Sequence, residues 1–352
     1  MLVYFTRAGA SVLGTSMVGF GLNTPEYGGW YTTVLPNPVI FGLLASVCLA
    51  LVGVSVCCLR DDTSPRRAFI NELHHLWTAV SMPAMQRLLV ALFVLHLFQA
   101  ATSTATPYLR FFYVQVETAN YCVMHVIGSV VYAGVAATIA LYGYQWHWRR
   151  ILIGCVVSST ALDAIAQLTA VANIIRSEWF YLGIGILKKI PGAVQSVHLT
   201  LVVLEHAETV SEDDRVVAQA NVAAAVATTM PHIVGTTLST WYCAFFHLTP
   251  QRIAGDSDAV RSDMASTYIF SYALNLVPTI TAIFLMPANR AAARRETRVA
   301  HVVHGTKASR NISIAITAIL VAASVVGIVA MTLALYEPTA CSVFAGGRGC
   351  GG

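Results

Sequence analysis

Apolar runs long enough to cross a bilayer recur along this chain, and each of them has to satisfy its own backbone polarity. A span needs about 20 mostly apolar residues, and inside hydrocarbon only helices or closed barrels pair every N–H and C=O group. Nine such runs lie at approximately 2–22, 38–59, 86–106, 121–143, 150–173, 179–205, 217–247, 264–286 and 312–335. They are continuously apolar rather than alternating, which reads as helix and not as lipid-facing strand. Charged residues make up 11% of the 352 positions, against about 25% in an ordinary soluble domain. The expectation is an all-α, polytopic transmembrane helix bundle of about nine transmembrane helices, with little chain left for a soluble domain. Arg7 and several small residues dilute the first run. It still reads as a bundle-facing helix, because a signal peptide has a charged start, a clean apolar block and a small-residue cleavage site.

Basic residues set the orientation. One set of alternate connections carries Arg60, Arg66, Arg67, Arg87, Arg149, Arg150, Arg215, Arg290, Arg294, Arg295, Arg298, Lys307 and Arg310. The other carries Arg110, Arg176, Arg252, Arg261 and Arg348. The richer side is cytosolic by the positive-inside rule. That puts the N-terminus in the cytosol and the tail from Tyr336 outside or in a lumen, in a host membrane the sequence does not specify. The basic loop 287–311 reaches anionic lipid heads at about 1 kcal/mol per basic residue, which we read as a by-product of topology. No basic–aromatic motif points to nucleic acid.

Eight cysteines are spread without metal-ligand spacing. Cys48, Cys57, Cys58, Cys155 and Cys243 lie in or beside apolar runs, where cysteine behaves as a small hydrophobe. Cys57–Cys58 at a cytosolic helix end is a weak palmitoylation candidate. Cys341 and Cys350 share a short Gly-rich tail on the oxidising side, and a disulfide between them is expected. Eleven histidines form no HExxH or comparable constellation, and no GxSxG elbow, P-loop or dinucleotide fingerprint occurs at a sensible position. The expectation is a protein that is not an enzyme and takes no cofactor or metal. The Trp146-His147-Trp148 patch beside Arg149 and Arg150 reads as an interfacial anchor.

Charges at bilayer depth cost about 2.5–3.5 kcal/mol each on insertion scales and mark pathways or paired sites. Asp163 falls mid-run, and Lys188 and Lys189 fall near the middle of the next run, flanked by Gly183, Gly185 and Pro191. Glycines, a proline and two lysines predict an interrupted helix lining a water-filled, cationic cavity for an anionic solute. The competing reading is that one lysine pairs with Asp163 and only fixes packing while the other snorkels. Both readings stay open. Glu205 and Arg7 sit near cytosolic ends; His125, His198 and His232 are also at membrane depth; Pro231 predicts a kink that gates or merely bends.

Taken in order, these segments resemble the folate–biopterin transporter family of the major facilitator superfamily. The start, YFTRAGASVLGTSMVGFGLNTPEYGGWY, is similar to that family's fifth helix and following loop. QWHWRRILIG, ALDAIAQ, EWFYLG and IPGAV are similar to its eighth-to-tenth helix region, and ACSVFAGGRGC to the tail of members with one helix beyond twelve. The resemblance implies secondary transport of pterins, folates or related small organic solutes, often coupled to an ion such as a proton. It also implies that the first four helices are absent, leaving 86–106 and 179–205 as the cavity-lining candidates. Residues 1–59 would then be the last two helices of an N-terminal bundle and 60–85 a cytosolic linker. Residues 86–286 would be a six-helix C-terminal bundle, 287–311 a basic loop, 312–335 an extra helix and 336–352 the Cys/Gly tail. Lys188 and Lys189 stand where the family pattern is apolar or acidic, which leaves substrate identity open.

Two function classes follow. In the first, a facilitator-type transporter works by alternating access, with Lys188 and Lys189 recognising an anion, Asp163 as their partner or a proton-coupled carboxylate, and Gly183, Gly185, Pro191 and Pro231 as flexible points. In the second, a truncated, non-transporting protein or subunit needs a partner, or self-associates through small-residue faces such as Gly9-Ala10-Ser11, to complete the bundle.

Overall fold

The computed structural model describes residues 69–143, 146–210, 214–246, 248–295 and 307–335, with scattered helical positions between 9 and 53. Among the described residues all regular structure is helical. In chain order the elements are α1 (Phe69–Ser81), α2 (Pro83–Ala100), and α3 (Thr106–Tyr108), which runs into a π-helical turn (Leu109–Val114). Then come α4 (Thr118–Tyr142), α5 (Trp148–Val171), α6 (Glu178–Val210), α7 (Asp214–Ala244), α8 (Pro250–Ala254), α9 (Asp258–Leu285) and α10 (Lys307–Leu335).

Five segments are long and apolar enough to cross a membrane: Pro83–Ala100, Thr118–Tyr142, Trp148–Val171, Asp258–Leu285 and Arg310–Ala330. The chain is a multi-pass membrane protein. Helices α6 and α7, at 33 and 31 residues, are longer still but stand outside that group, because Lys188, Lys189, Gln195 and His198 in α6, and Gln219, Asn221 and His232 in α7, dilute them. Of the nine expected spans, runs 179–205 and 217–247 are thus helices of mixed polarity. Runs 2–22 and 38–59 lie largely outside the described residues, as do Arg7, Cys341 and Cys350.

Within the stretch 60–85, expected as a cytosolic linker, residues 69–81 form α1, which packs along α7. Pro83 then opens α2, where the missing N–H costs nothing because first-turn donors have no intrahelical partner. One expectation is corrected: α6 is not interrupted. It continues through Pro191, as α7 does through Pro231, each losing one backbone hydrogen bond. A Cβ at Gly183 or Gly185 would meet nothing within 4 Å, so neither glycine is needed for close packing.

The most extensive helix pairings are α2 with α7, α5 with α6 and α4 with α6, followed by α9 with α5 and α2; α10 joins through α7. Three apolar clusters result among the described residues: a small one between α4 and α6, around Ala136, Ile139 and Val197, and two larger cores. One lies toward the α2 start and contains Met85, Leu88, Leu92, Leu152, Leu199, Val202, Ala282 and Met286. Trp148 belongs to it at 2% exposure, so this residue is a core side chain and not the interfacial anchor its neighbours suggest. The second core, at the opposite end, gathers Leu109, Tyr113, Val171, Ile253, Val260, Met264 and Tyr268.

Polar contacts fasten the basic end of the bundle. Glu205, with 4% of its side chain exposed, pairs with Arg290 at 2.6 Å and Arg294 at 2.7 Å. Arg149 donates twice to the Met286 carbonyl, at 2.6 and 3.0 Å. The segment after α9 is therefore tied to both α5 and α6.

The α2–α7 crossing depends on Gly235. A Cβ there would collide with the Leu97 carbonyl oxygen and stand 2.6 Å from Ala100 Cβ, too close for either backbone to stay where it is. Replacing Gly235 with Val should lower stability by about 1–3 kcal/mol, the usual cost of overpacking. Thermal unfolding in detergent measures this; Gly183→Ala, facing open space, serves as the control and should leave the transition unchanged or slightly raised.

Candidate functional site

Between the two cores lies a polar cavity of about 460 Å³. Its walls come from α2 (His96, Gln99), α5 (Ser159, Thr160, Asp163, Gln167), α6 (Lys188, Gly192, Gln195), α7 (His232) and α9 (Tyr268, Tyr272, Asn275), with Thr102, Ser103 and Thr106 at one end. Its size matches a small organic molecule. Toward the α2 start it is floored by Leu92, Leu95, Leu152 and Leu199, which pack without room for a water. Toward the other end Tyr268 and Tyr272 stack at 6.2 Å between ring centres and belong to the second core.

At the centre Lys188 Nζ donates to Asp163 Oδ1 at 2.5 Å, and Tyr272 O–H donates to Asp163 Oδ2 at 3.1 Å. Three helices thus converge on one carboxylate, and both of its oxygens are engaged. The lysine side chain is 42% exposed against 26% for the aspartate, so the pair is not sealed within the packing. Gln99 and Gln195 exchange reciprocal amide bonds at 3.0 Å in both directions. Gln167 donates to the Tyr181 hydroxyl at 3.0 Å, while its own amide oxygen and that of Asn275 are buried without a partner. An ammonium, hydroxyls and amides in this arrangement are equipped to hold a polar solute by hydrogen bonds and one positive charge.

The structure brings Lys188 and Asp163 together and parts Lys189 from them. Lys189 turns toward α4, where a methyl added at Gly128 would stand 3.2 Å from its Cγ, and it does not line the cavity. Pro191 and Pro231 each precede a lining residue, Gly192 and His232. His198 lies elsewhere, stacked under Trp146 at 5.7 Å. Cys122, Cys155 and Cys243 are free and buried. Among the described residues no three His, Cys, Asp or Glu side chains form a metal-binding group. Sequence reasoning missed the α9 wall. Its signal is a polar stripe at helical spacing in an apolar run, Tyr268, Ser271, Tyr272 and Asn275.

A second charged constellation closes the end of the bundle beyond the tyrosines. Asp256 sits at φ 45°, in the left-handed region, just before α9. It accepts two bonds from Arg176, at 2.7 and 2.9 Å, and two from Arg261, at 2.8 and 3.0 Å. Arg176 also donates to the Ala170 carbonyl at 3.0 Å and lies 4.2 Å above the Tyr113 ring. The hydrogen bonds from Arg176 and then Arg261 hold the Asp256 carboxyl far below the usual carboxylate range.

The chain matches no family model, no curated protein and no solved structure.

The depressed Asp256 carboxyl fixes a pH signature. Its folded pKa lies below the unfolded value of about 3.9, so the stabilisation is fully present above that value and is lost as pH falls through the folded one. Wild type should unfold at a higher temperature than Asp256→Asn at pH 7, and the gap should narrow as the pH falls below about 4. A gap independent of pH would show that the ionised carboxylate is not what stabilises this end.

Proposed function

We propose that this chain binds and moves a small organic solute across the membrane by secondary-active, facilitator-type transport. The solute would be an anionic pterin- or folate-like compound, as the resemblance of the segments suggests. The observation that carries the proposal is the cavity itself: a polar chamber of about 460 Å³ between two apolar cores, with Lys188 on its wall. The Lys188 side chain is 42% exposed although it is paired with Asp163.

In this reading Lys188 contacts the anionic group of the solute, and Asp163, held by Lys188 and Tyr272, is the group that exchanges a proton when transport is coupled. Alternating access then requires the two apolar cores to loosen in turn, each sealing the cavity from one side. Pro191 and Pro231, inside continuous helices beside lining residues, are where α6 and α7 bend most easily, since each lacks one backbone hydrogen bond.

The exposed His232 and the partly exposed Lys188 also favour a second reading. The chamber is completed by further helices, from this polypeptide or from a partner, and the described helices alone do not transport.

Reconstituted vesicles test the first reading. Uptake of a labelled anionic pterin or folate should fall at least about tenfold in Lys188→Met and in Asp163→Asn, a fall worth about 1.4 kcal/mol or more, with insertion unchanged. Lys189→Met should retain uptake, because that side chain lies against α4. Equal uptake in Lys188→Met and wild type would sink the site assignment. Absence of uptake by wild type, with a stable complex larger than a monomer, would favour the second reading.

A further inference from the structure

A second cavity, unrelated to the transport chamber, opens between α1, α7 and α10. Its volume is about 530 Å³, and it is lined by Ile70, Leu73, Trp77, Val222, Ala223, Thr317 and their neighbours. Among the described residues its wall is almost wholly apolar, Thr317 and the exposed His74 being the polar side chains. The groove is continuous with an outward apolar surface. Ile70, Leu73, Val222 and Val321 on its walls are 73, 51, 50 and 56% exposed, and Ile314, Ile319, Val325 and Ile328 carry the same surface along α10. In a multi-pass membrane protein that surface faces hydrocarbon.

Helix geometry gives the groove a depth. Val222 stands seven residues into α7 from Arg215, and Thr317 stands seven residues into α10 from Arg310. At 1.5 Å per residue, both arginines lie about 10 Å from the groove along their helices, toward the same end of the bundle. The headgroup region of one leaflet is about 5–8 Å deep, so a groove this far below the two arginines lies at the level of the upper acyl carbons. Both arginines are exposed, and Arg310 closes the basic segment 287–311. Glu72 at this end is engaged by Gln219, which donates to it at 2.9 Å.

We infer that this groove is a lipid site: one acyl chain of a membrane phospholipid lies between α1, α7 and α10, with its phosphate drawn to Arg310. The occupant follows from the surroundings. The groove opens on the hydrocarbon-facing surface, its wall is apolar but for Thr317 and the exposed His74, and a cation stands where the phosphate of a lipid so placed belongs. This site rests on the membrane reading alone and holds whether or not the chain transports.

Trp77 lines the groove half-buried, and that makes the site measurable, because bromine on an acyl chain quenches indole fluorescence at contact. The full chain is reconstituted in vesicles of dibrominated phosphatidylcholine and in the unbrominated lipid, and the Trp77 signal is taken as the difference between wild type and Trp77→Phe. The expected result is at least twofold quenching of that signal by the brominated lipid. In Ala223→Phe, whose ring takes the place of the chain, the quenching should fall by more than half. Thr317→Phe, from the facing helix, gives the same result by an independent change if Ala223→Phe does not fold. Arg310→Gln should raise the fraction of brominated lipid needed for half-maximal quenching. Unquenched Trp77 overturns the proposal, and with a dimer-sized particle it assigns the groove to a second copy of the chain. Equal quenching in wild type and both filled variants also overturns it, since Trp77 would then report ordinary surrounding lipid.

Discussion

An aspartate and a lysine carried to bilayer depth on neighbouring helices leave the chain little choice but to join them. Asp163 on α5 and Lys188 on α6 meet at 2.5 Å, and Tyr272 from α9 takes the remaining carboxylate oxygen. An isolated charge at this depth is expensive, so the pair fixes the rotation of both helices about their axes. That rotation turns Lys189 toward α4 and Gln195 toward Gln99 on α2. The chamber and the packing around it are consequences of where one carboxylate had to go.

Small residues decide how closely helices approach around that centre. Gly235 lets α7 lie against the backbone of α2, and Gly327 of α10 meets Ile233 on α7 so closely that an added methyl would stand 2.5 Å from Ile233 Cγ2. In a membrane, where apolar burial gives helices no preference for each other over lipid, such contact surfaces do much of the assembling.

The apolar runs and the Lys188–Asp163 pairing were legible in the sequence because hydropathy and intramembrane charge are strong, local signals. Runs such as 121–143 and 150–173 fall within three residues of α4 and α5. Other features were not legible, for physical reasons. Gly and Pro in 179–205 suggested a broken helix, yet tertiary packing carries α6 through Pro191. The polar dilution that hid α1 inside a presumed linker reflects an amphipathic helix with one face against α7. Trp148 was misjudged because an aromatic next to arginines looks the same in sequence whether it floats at an interface or plugs a core. Asp256 gave no warning: Arg261 is a local partner five positions on, but Arg176, 80 positions away, becomes a neighbour only once the bundle exists.

That separation bears on how the protein is made. Arg176 lies in the turn between α5 and α6, and the carboxylate that receives it emerges only after α7 and α8 have been synthesised. Before that point the Arg176 guanidinium has only the Ala170 carbonyl and the Tyr113 ring among the partners it holds in the finished bundle. Asp256 joins the late α9 to the early α5–α6 hairpin, so this end of the bundle is completed only when the chain has been made as far as α9.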